Sequence, residues 1–196
     1  MDKNKVQKIS FSAPINIQAA AAPDASGTKK PATFSIRAYN GDKINVSNYC
    51  YAPVVFDLSG LIVATQQIPI LDSHETENDA VLGQTDKIEI VNGGIDESGV
   101  LYSHIDEQAA MIAAKAAAGY QWQASVGVRP LSIEEVPAGS KVTVNGRSIE
   151  GPVDIIRTGV LVETSIVVIG ADTTSTVQIA AKAASNTPKQ SIIILI

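Results

Sequence analysis

Three side chains of this sequence, His74, Ser125 and Glu163, have the types needed for nucleophilic acyl transfer. A serine hydroxyl attacks a carbonyl only when a base takes its proton, and an imidazole serves best as that base when a carboxylate holds its other nitrogen. Ser125 lies in WQASVGV, whose β-branched residues favour a strand, with Gly127 two positions on, where the backbone can admit another chain closely. The Ser-x-Gly triplet also reads as an ordinary strand serine before a bulge. His74 sits where the apolar run of IPILDSHE meets an acidic loop, a place that leaves an imidazole partly exposed and suited to general-base work. Beside Asp72 and Glu75 it also reads as a surface histidine. Glu163 interrupts GVLVETSIVVIG, a run otherwise apolar enough to be buried, and a buried acid needs a partner to offset its lost hydration. Strand alternation puts Glu163 and Ser165 on one face and Val162 and Thr164 on the other. That face could instead meet solvent, or Glu163 could pair with Arg129, Arg147 or Arg157.

The order His, Ser, acid differs from the orders of the chymotrypsin, subtilisin and α/β-hydrolase triads, and there is no GxSxG elbow. The other histidine, His104 in LYSHIDE, reads as a polar residue near a helix start. With two histidines, one cysteine and neither HExxH nor CxxC spacing, the sequence predicts no metal site, and nothing in it calls for a cofactor.

The elements that must position these residues are mostly strands. TFSIRAY alternates as a half-buried strand does, and NGD turns the chain before KINVSNY. PVVFDLSGLIVA is more continuously apolar, with a turn expected at Ser59-Gly60, and QIPILDSHE is a short strand that runs out at His74. ENDAVLGQTDKIEIV crosses a loop into another strand, after which Asn92-Gly93-Gly94 and Ser98-Gly99 read as punctuation. DEQAAMIAAKAAAG is a helix, with Asp106 as its N-cap and Gly119 at its C-terminal end. WQASVGV, KVTV, a hairpin at VNGR and GVLVETSIVVIG complete a tally of about seven strands and one or two helices. That pattern predicts an α+β, mainly β chain: an antiparallel, nearly closed β-barrel with flanking helices.

At 196 residues and 45% hydrophobic, the chain can bury one substantial core. A net charge of −5 with scattered Lys and Arg gives no footprint for nucleic acid. No run approaches the roughly 20 apolar residues of a membrane helix, and FSAPINIQ interrupts what would be the apolar core of a secretion signal. The lone Cys50 cannot form an internal disulfide, so a cytoplasmic protein is expected. Residues 1–32, ending in QAAAAPDASGTKKPA, have little to bury and read as a flexible arm. A domain over 33–181 and a tail over 182–196, ending in the apolar SIIILI, complete the expected layout.

Four segments in this order, FSIRAY, IPILDSHETENDAVLGQTD, GYQWQASVGV and VLVETSIVVIGADTTSTVQIAA, resemble the phage prohead (capsid maturation) proteases, whose fold is similar to that of the herpesvirus assemblins. The resemblance spans about Phe34 to Ala181. It implies an assemblin-like fold with His74 as base, ahead of Leu82-Gly83, Ser125 as nucleophile, and Glu163 in the third position, which is histidine in the assemblins and an acid in phage relatives. Asp172 is held in reserve for that third role. By the same resemblance, the turn Ile169-Gly170-Ala171 would supply the backbone oxyanion donor, with Gly170 giving the conformation and Ala171 the N–H. The expected substrates are scaffolding protein, the removable segment of the major capsid protein and the chain itself, inside a procapsid in the host cytoplasm, with self-association ordering the site. A non-catalytic procapsid component of the same fold, or an unrelated β-rich binding module, would explain the strands without a triad.

Overall fold

The computed structural model describes residues 9–10, 13–18, 30–44 and 52–168. Among these, ten strands join one sheet and two more form a separate hairpin, with one α-helix beside them. In chain order the strands are β1 Ile9–Ser10, β2 Ala13–Gln18, β3 Ala32–Tyr39, β4 Val54–Phe56, β5 Leu61–Ile62, β6 Pro69–Asp72, β7 Val81–Val91, β8 Gly94–Leu101, β9 Gln123–Val136, β10 Lys141–Val144, β11 Arg147–Glu150 and β12 Val153–Val167. The helix, α1, spans Glu107–Ala117.

Alternation sets the faces. In β3, Ala32, Phe34, Ile36 and Ala38 turn inward while Thr33 and Ser35 turn to solvent, as period-two patterning requires. Asp106 accepts a hydrogen bond from the Ala109 N–H at 2.6 Å, capping α1, and Gly119 follows its end at φ +95°. The helix buries Ala109, Ile112, Ala113 and Ala116 against the sheet's core of Phe34, Ile36, Leu82, Ile95 and Leu101. Trp122 locks the exit from the helix by donating its indole N–H to the Ile112 carbonyl at 3.0 Å. This fixes the start of β9 at Gln123, two residues before Ser125.

β12 is the spine of the molecule. It pairs antiparallel with β9 along most of its length and parallel with β4, β5 and β6 on its other side. From β6 the sheet continues antiparallel through β7 and β8 to β3 and β2. The hairpin β10–β11 turns through Asn145 and Gly146, both at positive φ, as expected of VNGR. Its Val144 and Ile149 pack with Val55, Val136, Val153 and Ile155 in a second small core at the far end of β9 and β12.

Five expectations need correction. The sheet is mixed rather than antiparallel, since β12 runs parallel to β4, β5 and β6, and twelve strands, several of only two to four residues, stand among the described residues where about seven were expected. The sheet is a curled half-barrel that stays open rather than a nearly closed barrel. The pairing that would zip its two ends, β2 on β9, is only two residue pairs long, Ala13 with Ala124 and Pro14 with Gln123, and proline has no N–H to carry a ladder onward. The supposed arm is partly sheet: β1 pairs with β9 and β2 pairs with β3, because INIQ alternates well enough to cover the edge of β3. Ser98-Gly99 is no turn but the middle of β8, where a Cβ on Gly99 would stand 2.1 Å from the Gln84 carbonyl oxygen. Gly99 is there for close approach of strands. Positions 1–8, 11–12 and 19–29 of the expected arm, the expected tail over 182–196 and positions 169–181 lie outside the described residues.

Candidate active site

The three residues singled out for acyl transfer converge. β12 lies between β6, which leads into His74, and β9, which carries Ser125. In register, Ser165 of β12 stands opposite Leu71 of β6 on one side and Ser125 of β9 on the other. The ladder between β12 and β9 slips between Leu161 and Glu163, leaving Val162 as the extra residue of a bulge. That slip puts Leu161 and Glu163 on opposite faces. Leu161, Thr164 and Ile166 pair with Val128, Val126 and Ala124 and share their buried face, so Glu163 and Ser165 pair with Gly127 and Ser125 on the other. Without the bulge, Leu161 and Glu163 would share a face.

His74 reaches this face from a tight turn. Glu75 donates its N–H to the Asp72 carbonyl at 2.9 Å, and the two central residues, Ser73 and His74, have φ of +51° and +68°. Two consecutive positive φ values are the mark of a type I′ turn, which favours Gly, Asn and Asp. Neither a serine nor a histidine takes this conformation without neighbours that hold it. Those neighbours lie on β12: Ser73 donates its N–H to the Ile166 carbonyl at 3.0 Å, and His74 donates its N–H to Ser165 Oγ at 3.1 Å. Asp72 is tied down as well, its carboxylate accepting from Ser73 Oγ at 2.8 Å and from Gln108 Nε2 of α1 at 2.9 Å.

Held this way, the imidazole spans the other two groups. Its Nδ1 lies 3.0 Å from Glu163 Oε1, and its Nε2 lies 2.9 Å from Ser125 Oγ. A carboxylate can only accept, so Nδ1 carries the proton and Nε2 is left free to accept from the serine hydroxyl. Glu163 is buried, with a side chain 4% exposed, while the His74 side chain is 25% exposed. Donors that compensate the buried charge include His74 Nδ1–H on Oε1 and the Ser165 hydroxyl on Oε2 at 2.6 Å. Of the three arginines that could have claimed Glu163, Arg147 pairs with Asp42 and Arg157 with Asp57 and Glu134, and Arg129 stands on β9 opposite Val160. Ser125 is 3% exposed, so the histidine is the group most open to an incoming chain.

No family model, curated protein or solved structure matches this chain.

The remaining sequence candidates fall differently. His104 stands in the turn that leads into α1, on another element, and its Nδ1 is buried. Gly170, Ala171 and Asp172 lie outside the described residues. One charged residue of the interior was not singled out by sequence reading: Glu97 of β8, 3% exposed, accepts from Thr164 Oγ1 at 2.8 Å. Burial pushes its carboxyl up to about 7, with the charge of Glu163 adding to the effect and the Thr164 hydrogen bond opposing it. The only sequence signal for Glu97 was an acid at an inward position of an alternating strand.

Proposed function

We propose that this chain is a serine endopeptidase that matures phage procapsids by cleaving scaffolding protein, the removable segment of the major capsid protein and itself. The observation that carries the reading is the single imidazole bonded to a buried carboxylate on Nδ1 and to a serine hydroxyl on Nε2. As Ser125 Oγ attacks a peptide carbonyl, its proton passes to His74 Nε2, and Glu163 stabilises the imidazolium that results. The imidazolium then gives that proton to the leaving amine, and water, activated by the same nitrogen, releases the acyl group. The oxyanion role that the resemblance gives to the backbone at Gly170 and Ala171 belongs to the proposal, as does the assemblin-like kinship of the curled sheet. So do self-association and action within the procapsid in the host cytoplasm.

The test is processing in reconstituted shells assembled from scaffolding protein, capsid protein and either wild-type chain or Ser125→Ala. Wild-type shells should yield shortened capsid and scaffolding bands, and Ser125→Ala shells should yield none. Equal processing by both would remove Ser125 from the chemistry. Intact shells in both cases would favour a non-catalytic procapsid component.

A further inference from the structure

We infer that Ser165 is a positioning residue that sets the histidine of the site, through both its side chain and its backbone; this rests on the serine-hydrolase reading and adds a fourth member to it. Ser165 is fully buried at 0% exposure, and its hydroxyl is its only side-chain hydrogen-bonding group. The single hydroxyl proton is donated to Glu163 Oε2 at 2.6 Å, and the oxygen accepts the His74 N–H at 3.1 Å. With the Glu163 Oε1 contact to His74 Nδ1 at 3.0 Å, these bonds close a ring that runs from imidazole to carboxylate to hydroxyl and back to the backbone of the same histidine.

Each half of the ring answers a need that the triad alone leaves unmet. A buried carboxylate bonded at one oxygen can swing about its own side chain, and the hydroxyl on Oε2 fixes the rotation that aims Oε1 at Nδ1. A histidine at φ +68° needs restraint, and the same hydroxyl holds its N–H. The register explains why this position serves: Ser165 is directly opposite Ser125 on β9 and Leu71 on β6, so it sits midway between the nucleophile and the turn that carries the base. A group held within about half an ångström of productive geometry depends on such outer contacts.

The experiment uses the full chain with a fluorophosphonate probe, measuring the second-order rate of adduct formation on Ser125 by mass spectrometry and the low-field proton resonance of His74 Nδ1–H by NMR. Ser165→Ala should label about 10–100-fold more slowly, the range expected for losing a hydrogen bond to a charged group. Its Nδ1–H resonance should move or broaden. Ser165→Thr keeps the hydroxyl on a strand that favours branched residues and should recover most of the rate and the wild-type resonance. Ser165→Cys, close in volume but a weak donor, should fall between alanine and wild type, and it serves if the alanine variant does not fold. Wild-type rates in Ser165→Ala or Ser165→Cys with an unmoved resonance would overturn the positioning role and leave the serine-hydrolase reading standing. A wild-type chain that forms no adduct on Ser125 would overturn that reading and the role together.

Discussion

At the scale of single residues, the site is a problem of tautomer and rotation. Glu163 does no bond-breaking; it decides which nitrogen of His74 carries the proton, and therefore whether the other can accept one from Ser125. Glu163→Gln tests this with almost no change of shape. An amide can turn its NH₂ toward Nδ1, which selects the tautomer that cannot accept from the hydroxyl. The rate of Ser125 acylation should then fall by about 10³–10⁴, as in comparable triads, while the far-ultraviolet circular dichroism stays that of wild type. A rate within tenfold of wild type would show that the carboxylate does not govern the base. Local sequence left each of His74, Ser125 and Glu163 open to an ordinary reading, as a surface histidine, a strand serine before Gly127 and a solvent-facing or arginine-paired acid, and it was the order of the four resembling segments that singled them out together. Ser165 was legible as a neighbour on the right face and no more, since a serine in a strand is ordinary. Its role appears only once the register places it between two strands.

At the scale of elements, β12 joins two environments. One face carries Glu163 and Ser165 toward the histidine, and the other carries Thr164 toward Glu97 of β8 across the core. A buried acid whose folded-state pKa is raised keeps a proton that the unfolded chain has already released. For Glu97, raised from 4.5 to about 7 mainly by burial, the favourable contribution is fully present below about pH 4.5. It is lost progressively as pH rises to about 7, in total on the order of 3 kcal/mol. Glu97→Gln retains an acceptor for Thr164 and cannot ionise. Its melting temperature should therefore lose less than that of wild type between pH 4.5 and 8, and parallel pH slopes in the two proteins would contradict the assignment. Strand alternation made β3, β9 and β12 readable and the caps made α1 readable, but the bulge at Val162 was not. Nothing in the run VLVETS marks which residue drops out of the ladder. The same is true of Gly99, where a glycine chosen for close approach of strands looks in sequence like a turn.

At the scale of the whole molecule, an open curled sheet leaves edges that must be covered, and the chain's first strands do part of this work. β2 pairs with β3 and touches the start of β9, and β1 pairs with Val128 and Gly127, just past Ser125. Removal of residues 1–18 should lower the melting temperature by several degrees and increase aggregation, because it exposes the edge of β3 and withdraws Ile17 from the core. An unchanged melting temperature would mean that this segment is the dispensable arm its composition resembles. Composition misled here because small and polar residues around PINIQ hide a short alternating strand, and closure misled because counting strands says nothing of how many pairs the last seam contains. The central claim, that one histidine links a buried carboxylate to a nucleophilic serine, is most directly tested by intact-mass analysis of the full chain after exposure to a fluorophosphonate, free and in assembled shells. The account predicts a single adduct mapped to Ser125, absent from Ser125→Ala and from His74→Ala. No adduct in either state, or an adduct that persists in Ser125→Ala, would contradict it.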